Sequence, residues 1–168
     1  LIKNYHHTDI EKIYITASGG PFLNFSYSRI LKAKLNDALN HPNWNMGKKI
    51  SIDSATMMNK VFEVIEAQRI FNIELKKFKI LVHPNSYVHS IVKFNNGTTK
   101  FLVHDTNMKI PIFNTLYLNN SKKLNSKKLD IKKLNNLNFK NLDKKKFPVI
   151  NILNQVSKKF SLYETVIV

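Results

Sequence analysis

The chain contains no cysteine, which excludes disulfides and thiolate metal sites and favours a reducing compartment. Glycine is scarce at four residues, and arginine scarcer still: of 27 basic residues all but Arg29 and Arg69 are lysine. Base readout and bidentate phosphate recognition lean on arginine, so a net charge of +16 built from lysine argues against a nucleic-acid surface. A Lys/Asn/Ile-rich composition fits a host of biased base composition better. No apolar run approaches the roughly 20 residues that a membrane span needs. The opening residues, LIKNYHHTDIEKIYITASGG, lack a basic-then-apolar leader. A first residue of Leu and an apolar last stretch, SLYETVIV, read as cut ends, so a fragment of a longer product is expected.

What is present suits one folded domain with room for an appendage: 168 residues, 43% of them hydrophobic. A chain of that size hides roughly 70% of its unfolded surface. Lys12 to Thr16 (KIYIT) predicts a strand stopped by Ala17-Ser18-Gly19-Gly20-Pro21. Residues 26–40 are weakly helical and lead into the loop HPNWNMG. Ser54 reads as the N-cap of a helix from about Ala55 to Phe71, with Met58, Val61, Phe62, Ile65 and Ile70 on its buried face. KILV (79–82), VHSIVKF (88–94) and residues 98–103 predict three more strands, the last two joined by the turn Asn95-Asn96-Gly97. A short helix is expected near Ile110-Pro111. From Asn119 to Lys146 the sequence is almost all Lys, Asn, Leu, Asp and Ser, which predicts an extended, mostly irregular linker with few core contacts. An amphipathic helical pattern begins at Phe147.

The residues capable of chemistry concentrate between His41 and Phe71. Ser18-Gly19-Gly20 after a strand is either a plain turn or a cradle of N–H groups and a hydroxyl for an anion. A helix opened by Ser54 would add a positive dipole end for a phosphate. Asn59 and Glu63, four apart, share a helix face with Lys60 beside them. Lys offers charge, Asn a donor and an acceptor, and Glu an oxygen ligand for a hard cation, though an ordinary capped surface helix reads the same way. Trp44, beside His41 in the loop, either closes over a substrate or anchors the loop by burial. His83 and His89 flank a Pro turn, where histidines are more often structural than chemical.

Taken together, SGGPF (18–22), HPNWNMGKKISIDSATMMNK (41–60), Glu63-x-x-Glu66, HPNSYVHS (83–90) and NMKIPI (107–112) resemble the 1-deoxy-D-xylulose-5-phosphate reductoisomerase family. The matching pieces cover most of residues 12–118, in order. The resemblance implies NADPH-dependent conversion of 1-deoxy-D-xylulose 5-phosphate into 2-C-methyl-D-erythritol 4-phosphate, with a divalent ion (Mg²⁺, Mn²⁺ or Co²⁺). It implies an α/β fold, a small mixed sheet with flanking helices, over residues 1–118. A linker at 119–146 and the start of an all-α domain at 147–168 would follow.

Carried over by motif position, Ser18, Ser54, Asn59 and Lys60 hold the phosphate end, and Asn59 and Lys60 also reach the substrate hydroxyls. Glu63 is a metal ligand, and His41 and Trp44 belong to a flap over the substrate. Met46 and Met108 lie near the nicotinamide, and His89 near the active site. Glu63, Lys60 and His41 carry the catalysis. The implied partners are a sugar phosphate and a second copy of the complete enzyme, without nucleic acid or membrane, in a bacterial cytoplasm or a plastid-type organelle.

Departures from the family pattern stand out. The Gly-rich nucleotide fingerprint and the Asp-Ser-Glu metal segment that precede these motifs are not among the 168 residues. Val61 replaces a Gly, which is expected to add bulk beside the site, and Asn107 stands where Asp is usual. The 168 residues by themselves are therefore expected not to turn over substrate. The alternative is a non-catalytic basic module whose Lys-rich tail meets anionic partners.

Overall fold

The computed structural model describes residues 2, 5–42, 44, 46–117 and 122–156. Five strands form one mixed sheet: β1 (Ile10–Ala17), β2 (Phe78–Val82), β3 (Val88–Phe94), β4 (Thr99–Val103) and β5 (Lys140–Asn141), in the order β4-β3-β1-β2-β5. β1 pairs parallel with β2 and antiparallel with β3, so that Ile13 lies between Phe78 and Val92. The β-branched residues read from KIYIT occupy the sheet's centre, where both neighbours satisfy their backbone. Asn95-Asn96-Gly97 makes the β3–β4 hairpin, with Gly97 at φ +85°.

Between β1 and β2 run α1 (Tyr27–Ile30), α2 (Leu35–Leu39), α3 (Lys48–Thr56) and α4 (Met58–Phe71). The core lies under α4: Val61 and Val64 meet Ile13, Ile15, Ile80 and Phe94. The buried face of α4 is Val61, Val64 and Gln68, an i, i+3, i+7 stripe, and it excludes Ile70, which is 65% exposed. Val61 is fully buried in this core and does not line the cavity described below, so its bulk supports the sheet instead of crowding the site.

Ser54 is not an N-cap. It sits in the last turn of α3, and the break comes three residues later at Met57, whose φ is +67°. Such a conformation costs a non-glycine residue about 1–3 kcal/mol. Met57 is 1% exposed in the core, and that burial offsets the strain. Two short helices therefore replace the single capped one, and α4 starts three residues later than its N-cap reading predicts.

The lysine-rich segment is more ordered than its composition suggests. Its first residues, 119–121, lie outside the described residues. Beyond them Asp130 caps α6 (Ile131–Asn135), its carboxylate accepting the Lys133 N–H at 3.1 Å. Lys140 and Asn141 then add β5 to the open edge of β2. Phe147 and Ile150, the latter in a 3₁₀ turn over Pro148–Asn154, are buried in the same core as β1 and α4. Within 122–146 itself no residue is buried: Leu142 packs partly against the core, and the buried contacts begin at Phe147, just beyond the expected linker. The rest of the stretch expected to open a helical domain, 157–168, lies outside the described residues.

Candidate active site

A cavity of about 490 Å³ opens where the end of β1, the α3–α4 break and the β3–β4 side of the sheet converge. It brings together Ser18, Trp44, Met46, Ser54, Asn59, Lys60, Glu63, His89 and Met108, which are spread over ninety residues of sequence. His41 stands just behind, against Ser18 and Trp44.

In the Ser18-Gly19-Gly20 turn the serine lines the cavity. Gly20, at φ +61°, packs so closely on α3 that a Cβ there would lie 2.6 Å from the Ser54 carbonyl oxygen. Its N–H donates to the Ser18 hydroxyl at 3.2 Å, so it offers no cradle to an anion. The Trp44 N–H donates to His41 Nδ1 at 3.1 Å, which leaves the proton of a neutral His41 on Nε2. Nε2 lies 3.2 Å from Ser18 Oγ and donates to it. In that tautomer the hydroxyl oxygen accepts from both the Gly20 N–H and His41. Burial, helped by the charge of Lys60, holds His41 below the usual histidine pKa, which keeps it in this neutral form near pH 7.

On α4 the Lys60 ammonium lies 2.8 Å from each carboxylate oxygen of Glu63. The Lys60 side chain is 14% exposed and that of Glu63 is 42% exposed. Next to them the side-chain oxygen of Asn59 is buried with no hydrogen-bond partner among the described residues. An unpaired buried acceptor costs about 1–3 kcal/mol and marks a place where a ligand donor is wanted. The opposite wall is softer: Met108 is 56% and Ile50 51% exposed at the rim.

The motif HPNSYVHS divides its labour. Ser86 (φ +50°) and His89 line the cavity. His83, Asn85 and Tyr87 grip the lysine-rich segment. His83, fully buried, donates through Nδ1 to the Asn138 carbonyl at 2.9 Å and stacks on Phe139. Asn85 donates to the Asn136 carbonyl at 3.3 Å, and the Tyr87 hydroxyl accepts the Asp130 N–H at 3.3 Å. The structural reading therefore holds for His83, while His89 faces the site. His89 is held neutral, its pKa lowered to about 4, chiefly because burial penalises the charged ring.

Sequence reasoning missed Thr16, Ser86 and His104 in the cavity wall. Ser86 precedes β3 at φ +50° and His104 follows β4, so neither carries a strand-alternation signal. Asn107, the departure noted above, accepts the Lys109 N–H at 3.0 Å in the turn that precedes α5 (Lys109–Leu116), whose N-cap position is Met108.

Divalent ions take six or more oxygens. Among the described residues no group of three His, Asp or Glu side chains is placed to hold a metal. Glu63 alone does not build such a centre, and its oxygens are engaged by Lys60.

Two family models match: 1-deoxy-D-xylulose 5-phosphate reductoisomerase C-terminal domain over residues 1–71, and DXP reductoisomerase C-terminal domain over 104–168. The chain is 62% identical over all 168 residues to the 1-deoxy-D-xylulose 5-phosphate reductoisomerase of Pelagibacter ubique. It belongs to the 1-deoxy-D-xylulose 5-phosphate reductoisomerase family. The chain spans 43% of the length of the Pelagibacter relative. Solved structures of the family superpose on it. The Zymomonas mobilis reductoisomerase in complex with NADPH matches with TM-score 0.79 and 38% identity, over 89% of this chain and 38% of that one. A reductoisomerase in complex with NADPH, fosmidomycin and magnesium matches with TM-score 0.79 and 40% identity, over 89% of this chain and 37% of that one.

Proposed function

We propose that these residues supply the substrate-binding part of an NADPH-dependent reductoisomerase that converts 1-deoxy-D-xylulose 5-phosphate into 2-C-methyl-D-erythritol 4-phosphate. The observation that carries the reading is the orphaned Asn59 oxygen beside the Lys60 ammonium in a cavity edged by hydroxyls. A sugar phosphate answers each demand: its hydroxyls donate to Asn59, and its phosphate takes donors from Lys60, Ser18 and Ser54. The family's names and the NADPH in its solved structures support the same chemistry.

Within that reading each residue has a task. His41 holds the Ser18 hydroxyl in place, and with Trp44 it forms the flap that excludes water from the bound substrate. Lys60 and Asn59 orient the substrate for reaction. Met46 and Met108 offer polarisable apolar surface for a flat nicotinamide ring, whose hydride NADPH supplies. Glu63 provides one carboxylate toward a divalent cation, and the remaining ligands come from outside the described residues. Residues 1–118 carry the site, 119–146 connect, and 147–168 open the helical unit.

The exposed Phe101 of β4 and Ile112 and Leu116 of α5 support the homodimer expected of the complete enzyme. Among the described residues no helix is long and apolar enough to cross a membrane. That agrees with a bacterial cytoplasmic or plastid-type setting.

The test is NADPH oxidation by the full-length protein in the presence of 1-deoxy-D-xylulose 5-phosphate and a divalent cation. Asn59→Leu and Lys60→Met should each lower kcat/KM by about a hundredfold. The 168 residues alone should oxidise none. A full-length protein without this activity, or variants that match it, would sink the proposal.

A further inference from the structure

His89 on β3 and His104 just beyond β4 stack face to face, ring centroids 3.5 Å apart and planes 11° from parallel. His89 Nε2 lies 2.9 Å from the His104 backbone carbonyl oxygen. A carbonyl can only accept, so Nε2 carries the proton and the neutral ring keeps its lone pair on Nδ1. Nδ1 has no partner among the described residues and is not sealed in, and His89 lines the cavity.

His104 is itself fixed in advance. Its backbone N–H donates to the Tyr87 carbonyl at 3.2 Å, and its Nδ1 donates to the Asp105 carbonyl at 2.7 Å. Asp105 is tied in turn to Lys133 of α6 by an ion pair at 3.0 Å. A ring held at both backbone and side chain is a rigid platform for the ring above it. Burial keeps His89 neutral, so the stack does not bring two cations together.

The geometry points to His104 as a positioning residue: its ring and carbonyl hold His89 in the Nε2–H tautomer, so that Nδ1 faces the cavity as an acceptor for a hydroxyl of the bound sugar phosphate. This rests on the reading of the cavity as a sugar-phosphate site. An acceptor fixed before binding favours a ligand with a hydroxyl at that point over one lacking it, because the unmatched lone pair would otherwise lose its water for nothing. The role is distinct from that of His41, whose Nδ1 is already engaged by the Trp44 N–H.

The experiment combines histidine ¹⁵N NMR with kinetics on the full-length protein, His89→Gln serving to assign the His89 signals. Native protein should show His89 as one neutral Nε2–H tautomer. His104→Ala keeps the backbone carbonyl but removes the stack. It should give a tautomer mixture at His89 and about a tenfold lower kcat/KM, mostly through KM. His104→Phe keeps a flat ring and should restore both. His104→Leu, which fills the space without a flat ring, stands in should the Ala variant not fold, and should behave like it.

The inference is overturned if removing the flat ring leaves the His89 tautomer unchanged, or if the variants lose only thermal stability. The tautomer is read without turnover. A protein that shows the tautomer shift but acts on no sugar phosphate would refute the proposed function, and with it the hydroxyl partner, while leaving His104 as the residue that orders His89.

Discussion

Gly20 and Ser54 meet backbone to backbone: a Cβ on Gly20 would stand 2.6 Å from the Ser54 carbonyl oxygen. That contact joins the end of β1 to the last turn of α3, and so brings Ser18 and Ser54 to one cavity. Gly20→Ala must relieve both the clash and a φ of +61°. It should destabilise the protein by about 1–3 kcal/mol and weaken phosphate binding. Thermal unfolding and isothermal titration with a sugar phosphate check this; native values in both would show that the contact is not needed.

The Lys60–Glu63 pair makes a separable prediction. Glu63 is 42% exposed, so the pair adds little to folding, and Lys60→Met should change stability by less than about 1 kcal/mol. Its affinity for a phosphorylated ligand should nonetheless fall by about tenfold or more, the weight of a charge-assisted hydrogen bond. Equal binding by native and variant protein would remove Lys60 from the phosphate site.

His89 predicts an acid sensitivity. Its folded pKa, about 4, lies below its unfolded value near 6.5, so the unfolded state binds the proton more readily. The stability it contributes is complete above about pH 6.5 and is lost as the pH falls from there toward 4. After allowance for solvent reaching the ring, the loss should be about 1–2 kcal/mol. Urea unfolding across that window should show His89→Gln with a flatter pH dependence than the native protein; parallel curves would contradict the shift.

The grip of the HPNSY turn on the connector can be tested with trypsin. His83→Ala removes the bond to the Asn138 carbonyl and the stack on Phe139. Cleavage at Lys127, Lys128 and Lys132 should then speed up several-fold, because local opening sets the rate of proteolysis. Unchanged cleavage would mean that β5 and α6 hold the connector without His83.

Much of this protein is legible one segment at a time. Strand KIYIT, the Asn95-Asn96-Gly97 hairpin and the short helix at Pro111 depend on alternation, turn chemistry and a fixed proline φ, which act over a few residues. The candidate site residues came from motif identity, which carries positions without geometry, and the fold gathers most of them around one cavity.

Distant contacts decide the remainder. No local rule ends α3 at Thr56 and starts α4 at Met58; the burial of Met57 and the press of Gly20 on Ser54 do. The lysine-rich stretch reads as solvated by composition, yet Phe139 finds His83, Asn141 pairs with Leu81, and Leu142 packs partly against the core. His104 meets His89 only because β3 and β4 lie side by side. Local propensities amount to tenths of a kcal/mol per residue, whereas burying one large side chain is worth about 2 kcal/mol, so the packed chain overrides the segment wherever the two disagree.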